Sequence, residues 1–288
     1  MKLTRVQTIP HKTDLATNDY GNANTKNVDA LSTPPSARNK VEFDYLTESM
    51  RPLVILVFIA PMLVVYEMGV IVLGPQAVRN GADVWMRGWL DNVGFSQYFL
   101  LPLLTCGILL GWHHLTLQRW KVPSHVVGVM WLESIILALV LLVVAHVQVE
   151  WMGDIRSFIT CDTKRASSPA LFAGIIGYLG AGIYEELLFR LMLLPATIAA
   201  FRYFQMTPKA SVIAGVILSS LVFSLAHYRL EFRFLLWHIS IAHGYPFEWF
   251  SYLFRFSAGV FFSLLFLFRG FGIAAGSHAI YDILAVVL

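Results

Sequence analysis

Charged residues are scarce in this sequence, and that scarcity is the first clue to its class. Asp, Glu, Lys and Arg make up 14% of the 288 residues, whereas hydrophobic residues make up 57%. Soluble domains usually carry about 25% charged residues. The composition therefore excludes an ordinary soluble enzyme and favours a chain that crosses a membrane several times.

The sequence also contains few cysteines and only a small excess of positive charge. Cys106 lies in an apolar run and Cys161 in a polar stretch, so the sequence indicates neither a disulfide framework nor a cysteine-based metal site. The formal net charge is only +3 and is spread along the chain, which gives no indication of nucleic-acid binding. Residues 1–5 are not followed by an apolar run, so we expect no cleavable signal peptide.

Long apolar segments begin only after residue 50. Residues 1–50 are polar and rich in Asn, Thr and Asp, and we predict a mostly disordered N-terminal tail there. A membrane span needs about 20 apolar residues, and a spanning segment exposed to lipid must be helical to satisfy its backbone. Seven segments are candidate spans, at residues 52–74, 98–112, 126–149, 170–200, 210–227, 247–268 and 272–288. Most of them are long enough, and residues 98–112 would be extended by flanking residues.

The predicted fold is therefore all-α, a polytopic transmembrane helix bundle of seven or eight spans. Whether there are seven or eight spans depends on residues 228–245, which mix charged and aromatic side chains. Their composition is compatible with an interfacial helix, a re-entrant segment or an eighth span. The Lys and Arg counts of alternate loops nearly balance, so the sequence does not fix the orientation in the membrane.

One apolar segment carries an unusual group of charges. Residues 171–200 contain only three formally charged side chains, Glu185, Glu186 and Arg190. A charge at the centre of a bilayer costs about 2.5–3.5 kcal/mol on insertion scales. Glu186 and Arg190 are four residues apart and can pair on one helix face, which leaves Glu185 available as a general base. A purely structural ion cluster is the alternative interpretation.

Two later segments carry polar groups in a similar setting. Phe223 and His227 lie at the end of one apolar run, and His278 and Asp282 share a face of the last one. Taken singly, His227 could be an interfacial histidine at a helix end. His278 could form a local structural pair with Asp282 within the same helix. Taken together, the three groups predict one polar cavity suited to activating water and stabilising an oxyanion.

Glu67 and Glu133 also lie within apolar runs. Each is predicted either to join this cavity or to serve as a packing partner elsewhere. His113 and His146 lie near the ends of predicted spans, where we expect interfacial positions rather than ligand roles.

Several familiar intramembrane protease motifs are missing. The sequence contains no HExxH zinc motif, no GxSG serine motif and no GxGD aspartyl motif. What it contains, in order, is E-E-x-x-x-R from Glu185, F-x-x-x-H from Phe223 and H-x-x-x-D from His278. This ordered set resembles the CAAX protease and bacteriocin-processing enzyme family, also called CPBP or Abi, which includes the type II CAAX prenyl endopeptidases.

The resemblance extends over residues 168–288 and implies that they form the catalytic helix core, preceded by N-terminal transmembrane helices at 51–167. It implies that Glu185 is the catalytic glutamate and that His227 helps it to activate water. His278 matches the second histidine of the family, and Asp282 a position that the family fills with Asn or Asp.

The resemblance gives Glu186, Arg190 and Phe223 supporting positions in the motifs. An ionised Asp282 cannot donate a hydrogen bond to an oxyanion, so Asp282 is either protonated or serves to orient His278. The resemblance favours catalysis without a metal or other cofactor. Zinc is the alternative, and its ligands would be Glu185, His227 and His278.

The predicted function is an intramembrane endopeptidase that hydrolyses a peptide bond of a membrane-associated or lipidated, CAAX-like protein or peptide. We expect an integral, multi-pass protein of the plasma (inner) membrane, whose partners are that substrate and the lipid bilayer. A non-catalytic membrane scaffold or chaperone and a proton-coupled carrier are the alternatives. The lack of an internal repeat counts against a carrier.

Overall fold

The computed structural model consists mainly of long helices. It describes residues 45–77, 79–94, 98–152, 168–234, 237–241 and 245–287. Most of the predicted disordered tail, residues 1–44, lies outside this described part, as do residues 153–167. Of the predicted tail, residues 45–49 form a short helical segment.

The helices follow one another with short connections. In chain order the elements are α1 (Pro52–Leu73), a 3-10 turn (Gly74–Gln76), α2 (Gly81–Asn92), α3 (Leu100–Leu115), α4 (Ser124–Met152), α5 (Ser168–Glu186), a π-helical turn (Leu187–Leu193), α6 (Leu194–Tyr203), α7 (Pro208–Leu225), β1 (Leu230–Phe234), β2 (Trp237–Ile241) and α8 (Trp249–Val287).

The prediction of a polytopic helical membrane bundle is confirmed. Within the described residues, five helices are long and apolar enough to cross a membrane, and α3 is a shorter apolar helix. The number is smaller than the seven or eight spans predicted, partly because α3 is short and partly because α8 contains two of the predicted spans. The five helices lie at Pro52–Leu73, Ser124–Trp151, Leu171–Tyr203, Pro208–Leu225 and Trp249–Val287.

The last helix folds back on itself at Gly270. The rings of Phe262 and His278 stack with centroids 4.4 Å apart, although 16 residues of straight helix would separate them by about 24 Å. Gly270 has φ 83° and ψ 175°, a conformation essentially restricted to glycine. The two arms, residues 249–269 and 271–287, therefore run antiparallel and correspond to the last two predicted spans.

The described residues between 228 and 245 form a β-hairpin, where an interfacial helix, a re-entrant segment or an eighth span was expected. β1 and β2 pair antiparallel, with Leu230 opposite Ile241 and Phe234 opposite Trp237. Backbone hydrogen bonds at the base of this hairpin join Arg229 N to Tyr245 O at 3.0 Å and Tyr245 N to His227 O at 2.9 Å. The hairpin therefore begins directly after His227 and holds the backbone of that residue in place.

An ion cluster holds the turn at Gly270 against its neighbours. Arg269 donates to both carboxylate oxygens of Glu133, at 2.6 and 2.7 Å, and to Ser49 Oγ at 3.2 Å. Tyr45 Oη donates to the same carboxylate. Glu133 is thus a packing partner at the turn and does not join the group formed by Glu185, His227 and His278.

Close packing of α5 against the second arm of α8 depends on Gly182. A Cβ built on Gly182 would lie 2.6 Å from Ala279 Cβ and 2.7 Å from the backbone atoms Ala275 O and Ala279 N. Backbone cannot move aside as a side chain can, so only glycine allows this approach. The close approach brings the C-terminal end of α5 beside His278.

We expect Gly182→Ala to lower the thermal stability of the detergent-solubilised protein by about 1–3 kcal/mol, the usual cost of overpacking. Gly174→Ala is the matched control on the same helix, because its Cβ would make only an ordinary contact, 3.5 Å from Tyr178. Thermal unfolding of both variants checks this, and equal melting temperatures would contradict the close approach.

Candidate active site

The structure brings the predicted site residues together from three parts of the chain. Glu185 and Glu186 end α5, His227 follows α7, and His278 and Asp282 lie in the second arm of α8. The following contacts show how each side chain is held.

Glu186 links Arg190 to His278. Its Oε1 lies 3.0 Å from Arg190 Nη1 and 2.7 Å from His278 Nδ1, and both Glu186 and Arg190 are fully buried. Because a carboxylate only accepts, His278 Nδ1 is the donor in this hydrogen bond. Glu186, rather than Asp282, therefore sets the orientation of the His278 ring.

Arg190 connects three helices at the centre of the bundle. It lies in the π-helical turn that follows α5, a local geometry often found at functional sites. Its Nη2 donates to Gly259 O at 3.2 Å, and its guanidinium lies 4.1 Å from the ring centre of Phe223 and 5.6 Å from that of Phe262. The spacing-based prediction that Glu186 and Arg190 form a pair agrees with this geometry.

Glu185 uses its two oxygens differently. Oε1 accepts a hydrogen bond of 2.6 Å from Asn80 Nδ2. Oε2 lies 3.7 Å from His227 Nε2 and 3.8 Å from His278 Nε2. Oε2 is buried and has no hydrogen-bond partner among the described residues. One oxygen is thus fixed, and the other faces both imidazoles.

The ring of His227 has a defined tautomer when neutral. Its Nδ1 is 2.8 Å from Phe223 O, one turn back in α7. A carbonyl only accepts, so Nδ1 carries the proton, and Nε2 is left as an acceptor that faces Glu185. Phe223 also packs edge-on against this ring at 5.0 Å.

Arg255 holds the base of the hairpin next to His227. Its Nη1 donates to Tyr228 Oη at 3.0 Å, and its guanidinium lies 5.5 Å from the ring centres of Tyr228 and Tyr245. Arg255 was not singled out from the sequence, because the two tyrosines that it contacts lie outside its own helix.

Asp282 lies at the edge of the group. Its Oδ2 is 3.5 Å from His278 Nε2, too long for a strong hydrogen bond. The side chain is 22% exposed, compared with 6% for His278. Asp282 is therefore the more exposed of the two side chains and holds His278 less closely than Glu186 does.

Asn80 and Phe262 are contacts that the sequence analysis missed. Phe262 stacks on His278 with an interplanar angle of 16°. Asn80 precedes α2 and lies 105 positions before Glu185. Asn before a helix is a recognisable N-cap signal, but nothing in the sequence connects that cap to Glu185.

The other polar residues that the sequence places in or near apolar runs lie outside the group of Glu185, His227 and His278. Glu67 accepts from Tyr184 Oη at 2.7 Å and pairs with Arg87 at 3.1 Å, so it packs beside the site without joining it. His146 has a 79% exposed side chain. His113 is buried and packs edge-on against Trp120, with ring centres 4.6 Å apart.

Three side chains of this group are of the kind that could bind zinc. Glu185, His227 and His278 offer the oxygen and nitrogen donors that zinc takes. In the described part of the chain, no group of three or more His, Cys, Asp or Glu side chains is arranged to hold a metal ion. Catalysis without a metal stays a prediction.

Comparison with protein families identifies one match. Residues 167–284 match the family model described as Type II CAAX prenyl endopeptidase Rce1-like. The matched range includes all three motifs and confirms the family resemblance predicted from them. No curated protein and no solved structure matches the chain.

We expect Arg190→Ala to reduce stability and activity together. The substitution leaves Glu186 as a buried carboxylate without its cation, at a cost of about 3–5 kcal/mol. Arg202→Ala is the control, because the side chain of Arg202 is exposed and donates to Met206 O. Thermal unfolding in detergent checks this, and an unchanged melting temperature for Arg190→Ala would contradict a buried ion pair.

Proposed function

We propose that the chain is an intramembrane endopeptidase in which Glu185 and His227 activate water, because residues 167–284 match the family model of the type II CAAX prenyl endopeptidases. The observation that carries this proposal is the convergence of three atoms. Glu185 Oε2 lies 3.7 Å from His227 Nε2 and 3.8 Å from His278 Nε2.

Glu185 Oε2 and His227 Nε2 are placed so that one water molecule can bridge them. Ionised Glu185 Oε2 and neutral His227 Nε2 are both acceptors, so they cannot bond to each other directly. Their separation exceeds a direct hydrogen bond, and a water that donates one hydrogen to each would satisfy both. The lone pairs of that water would then be free to attack a peptide carbonyl.

Glu185 and His278 can carry out the later steps of peptide hydrolysis. Glu185 takes a proton from the attacking water and later delivers it to the leaving amine. His278, when protonated, donates from Nε2 to the oxyanion of the tetrahedral intermediate. Glu186 and Phe262 hold the imidazole for this role, since one bonds Nδ1 and the other stacks on the ring.

The substrate that suits this site is a membrane-associated or lipidated, CAAX-like protein or peptide. The site lies among helices that can cross a membrane, so the substrate has to reach it from the bilayer or its surface. The plasma (inner) membrane is the location we propose. A scaffold or a proton-coupled carrier would use the same charges without cleaving a peptide.

Glu185→Gln should abolish proteolysis while the protein stays folded and inserted. Gln keeps the shape of the side chain but cannot act as a base, and loss of a general base typically costs 10²–10⁴-fold in rate. Glu150→Gln is the control, since that carboxylate is 71% exposed.

Both variants are compared by peptide turnover of purified protein and by proteomics of new N-termini in membranes. Near-wild-type turnover by Glu185→Gln would contradict the proposed role. Absence of any turnover in the wild type, together with pH-driven flux of a solute, would favour the carrier.

Asp282→Asn tests how Asp282 acts. If Asp282 is a protonated donor to the oxyanion, Asn should retain activity and extend it to higher pH, because an amide donates at every pH. We expect this outcome. A loss of activity at all pH values in the pH–rate profile would show instead that Asp282 acts as an ionised acceptor towards His278.

Removal of metal should leave the activity unchanged. The measurement is elemental analysis of the purified protein, followed by assays with and without a chelator. Stoichiometric zinc, with activity that only added metal restores, would replace the proposed mechanism by a zinc-bound water.

A further inference from the structure

We propose that Asn80 is a positioning residue for Glu185, and that α2, which lies outside the family match, is part of the active site. This inference rests on the proposed function. Asn80 Nδ2 lies 2.6 Å from Glu185 Oε1, and Asn80 Oδ1 accepts from the backbone N–H of Ala82 at 2.8 Å. Because that N–H can only donate, it fixes the orientation of the amide, and the NH₂ group is the one that faces Glu185.

The position of Asn80 is set by a rigid support. Asp83, in the first turn of α2, is fully buried and accepts from Tyr66 Oη at 2.7 Å, from Arg79 at 2.7 Å and from Arg87 at 2.6 Å. Tyr66 belongs to α1, so the first turn of α2 is held against that helix. Removing one partner of such a buried ionic network is strongly destabilising, so this turn is firmly anchored.

The same network reaches the residue next to the catalytic glutamate. Arg87 pairs with Glu67 at 3.1 Å, and Glu67 accepts from Tyr184 Oη at 2.7 Å. Tyr184 directly precedes Glu185. The network therefore connects both partners of the Asn80–Glu185 hydrogen bond and fixes the distance between them.

This contact determines which oxygen of Glu185 acts as the base. With Oε1 held by Asn80, the carboxylate cannot rotate to pair with an imidazole, and Oε2 is left to face His227 and His278. A neutral amide also lowers the basicity of a carboxylate less than a cation would, because hydrogen bonds to charged donors are roughly twice as strong. Asn80 therefore orients the base without neutralising its charge.

The decisive variant is Asn80→Asp. Asp caps a helix about as well as Asn and has nearly the same size, so α2 should stay folded. The donor, however, becomes a second carboxylate beside Glu185. We expect kcat to fall by up to about 10²-fold, the cost of misplacing a catalytic group, with little change in KM.

The pH–rate profile supplies a readout that a purely structural role would not change. A like charge next to Glu185 disfavours its ionised form. The acid limb of kcat should therefore move to higher pH in Asn80→Asp. Asn80→Ser, which keeps the cap but is too short to reach Glu185, should lower kcat with a smaller shift of that limb.

Asn92→Asp is the matched control, since it places the same charge at the exposed far end of α2, about 18 Å along the helix. It should leave kcat and the pH profile unchanged. Wild-type kcat and an unshifted acid limb in Asn80→Asp would overturn the proposal, as would a loss of activity that only follows a loss of thermal stability. Wild-type protein without peptide turnover would overturn the proposed function itself, and this inference with it.

Discussion

The contacts that Glu186 makes with Arg190 and His278 are the interaction on which the rest of the site depends. A buried arginine needs a carboxylate, and a catalytic imidazole needs a fixed orientation. Glu186 Oε1 supplies both at once, at 3.0 and 2.7 Å. The neighbouring Glu185 makes no comparable ion pair and faces two imidazoles instead. Adjacent identical residues thus have different roles, because the helix turns them towards different partners.

The fold around this interaction serves to bring three separate segments together. Gly270 allows the last helix to reverse, so that Phe262 of one arm stacks on His278 of the other. Gly182 allows that second arm to lie directly against α5. The hairpin that starts after His227 holds the backbone there, because Tyr245 N donates to His227 O. Together these features bring Glu185, His227 and His278 into one group.

The sequence was sufficient to predict the parts of this arrangement that follow from local spacing or from the cost of charge in lipid. Glu186 and Arg190 are four residues apart on a helix, and their pairing follows from that. It was not sufficient for contacts that tertiary packing decides. Asn80 looks like an ordinary helix cap, and its bond to Glu185 depends on how α2 docks. Glu67 and Glu133 looked alike in the sequence, yet packing gave them different partners.

The central proposal is that Glu185 acts on a water molecule and does not itself attack the substrate. A single-turnover reaction in H₂¹⁸O, with excess enzyme and a cleaved peptide analysed by mass spectrometry, tests this claim directly. Direct attack by water predicts one ¹⁸O atom in the new carboxylate of the product in the first turnover. A first-turnover product containing only ¹⁶O, with ¹⁸O incorporated into the side chain of Glu185, would contradict it and identify Glu185 as a nucleophile.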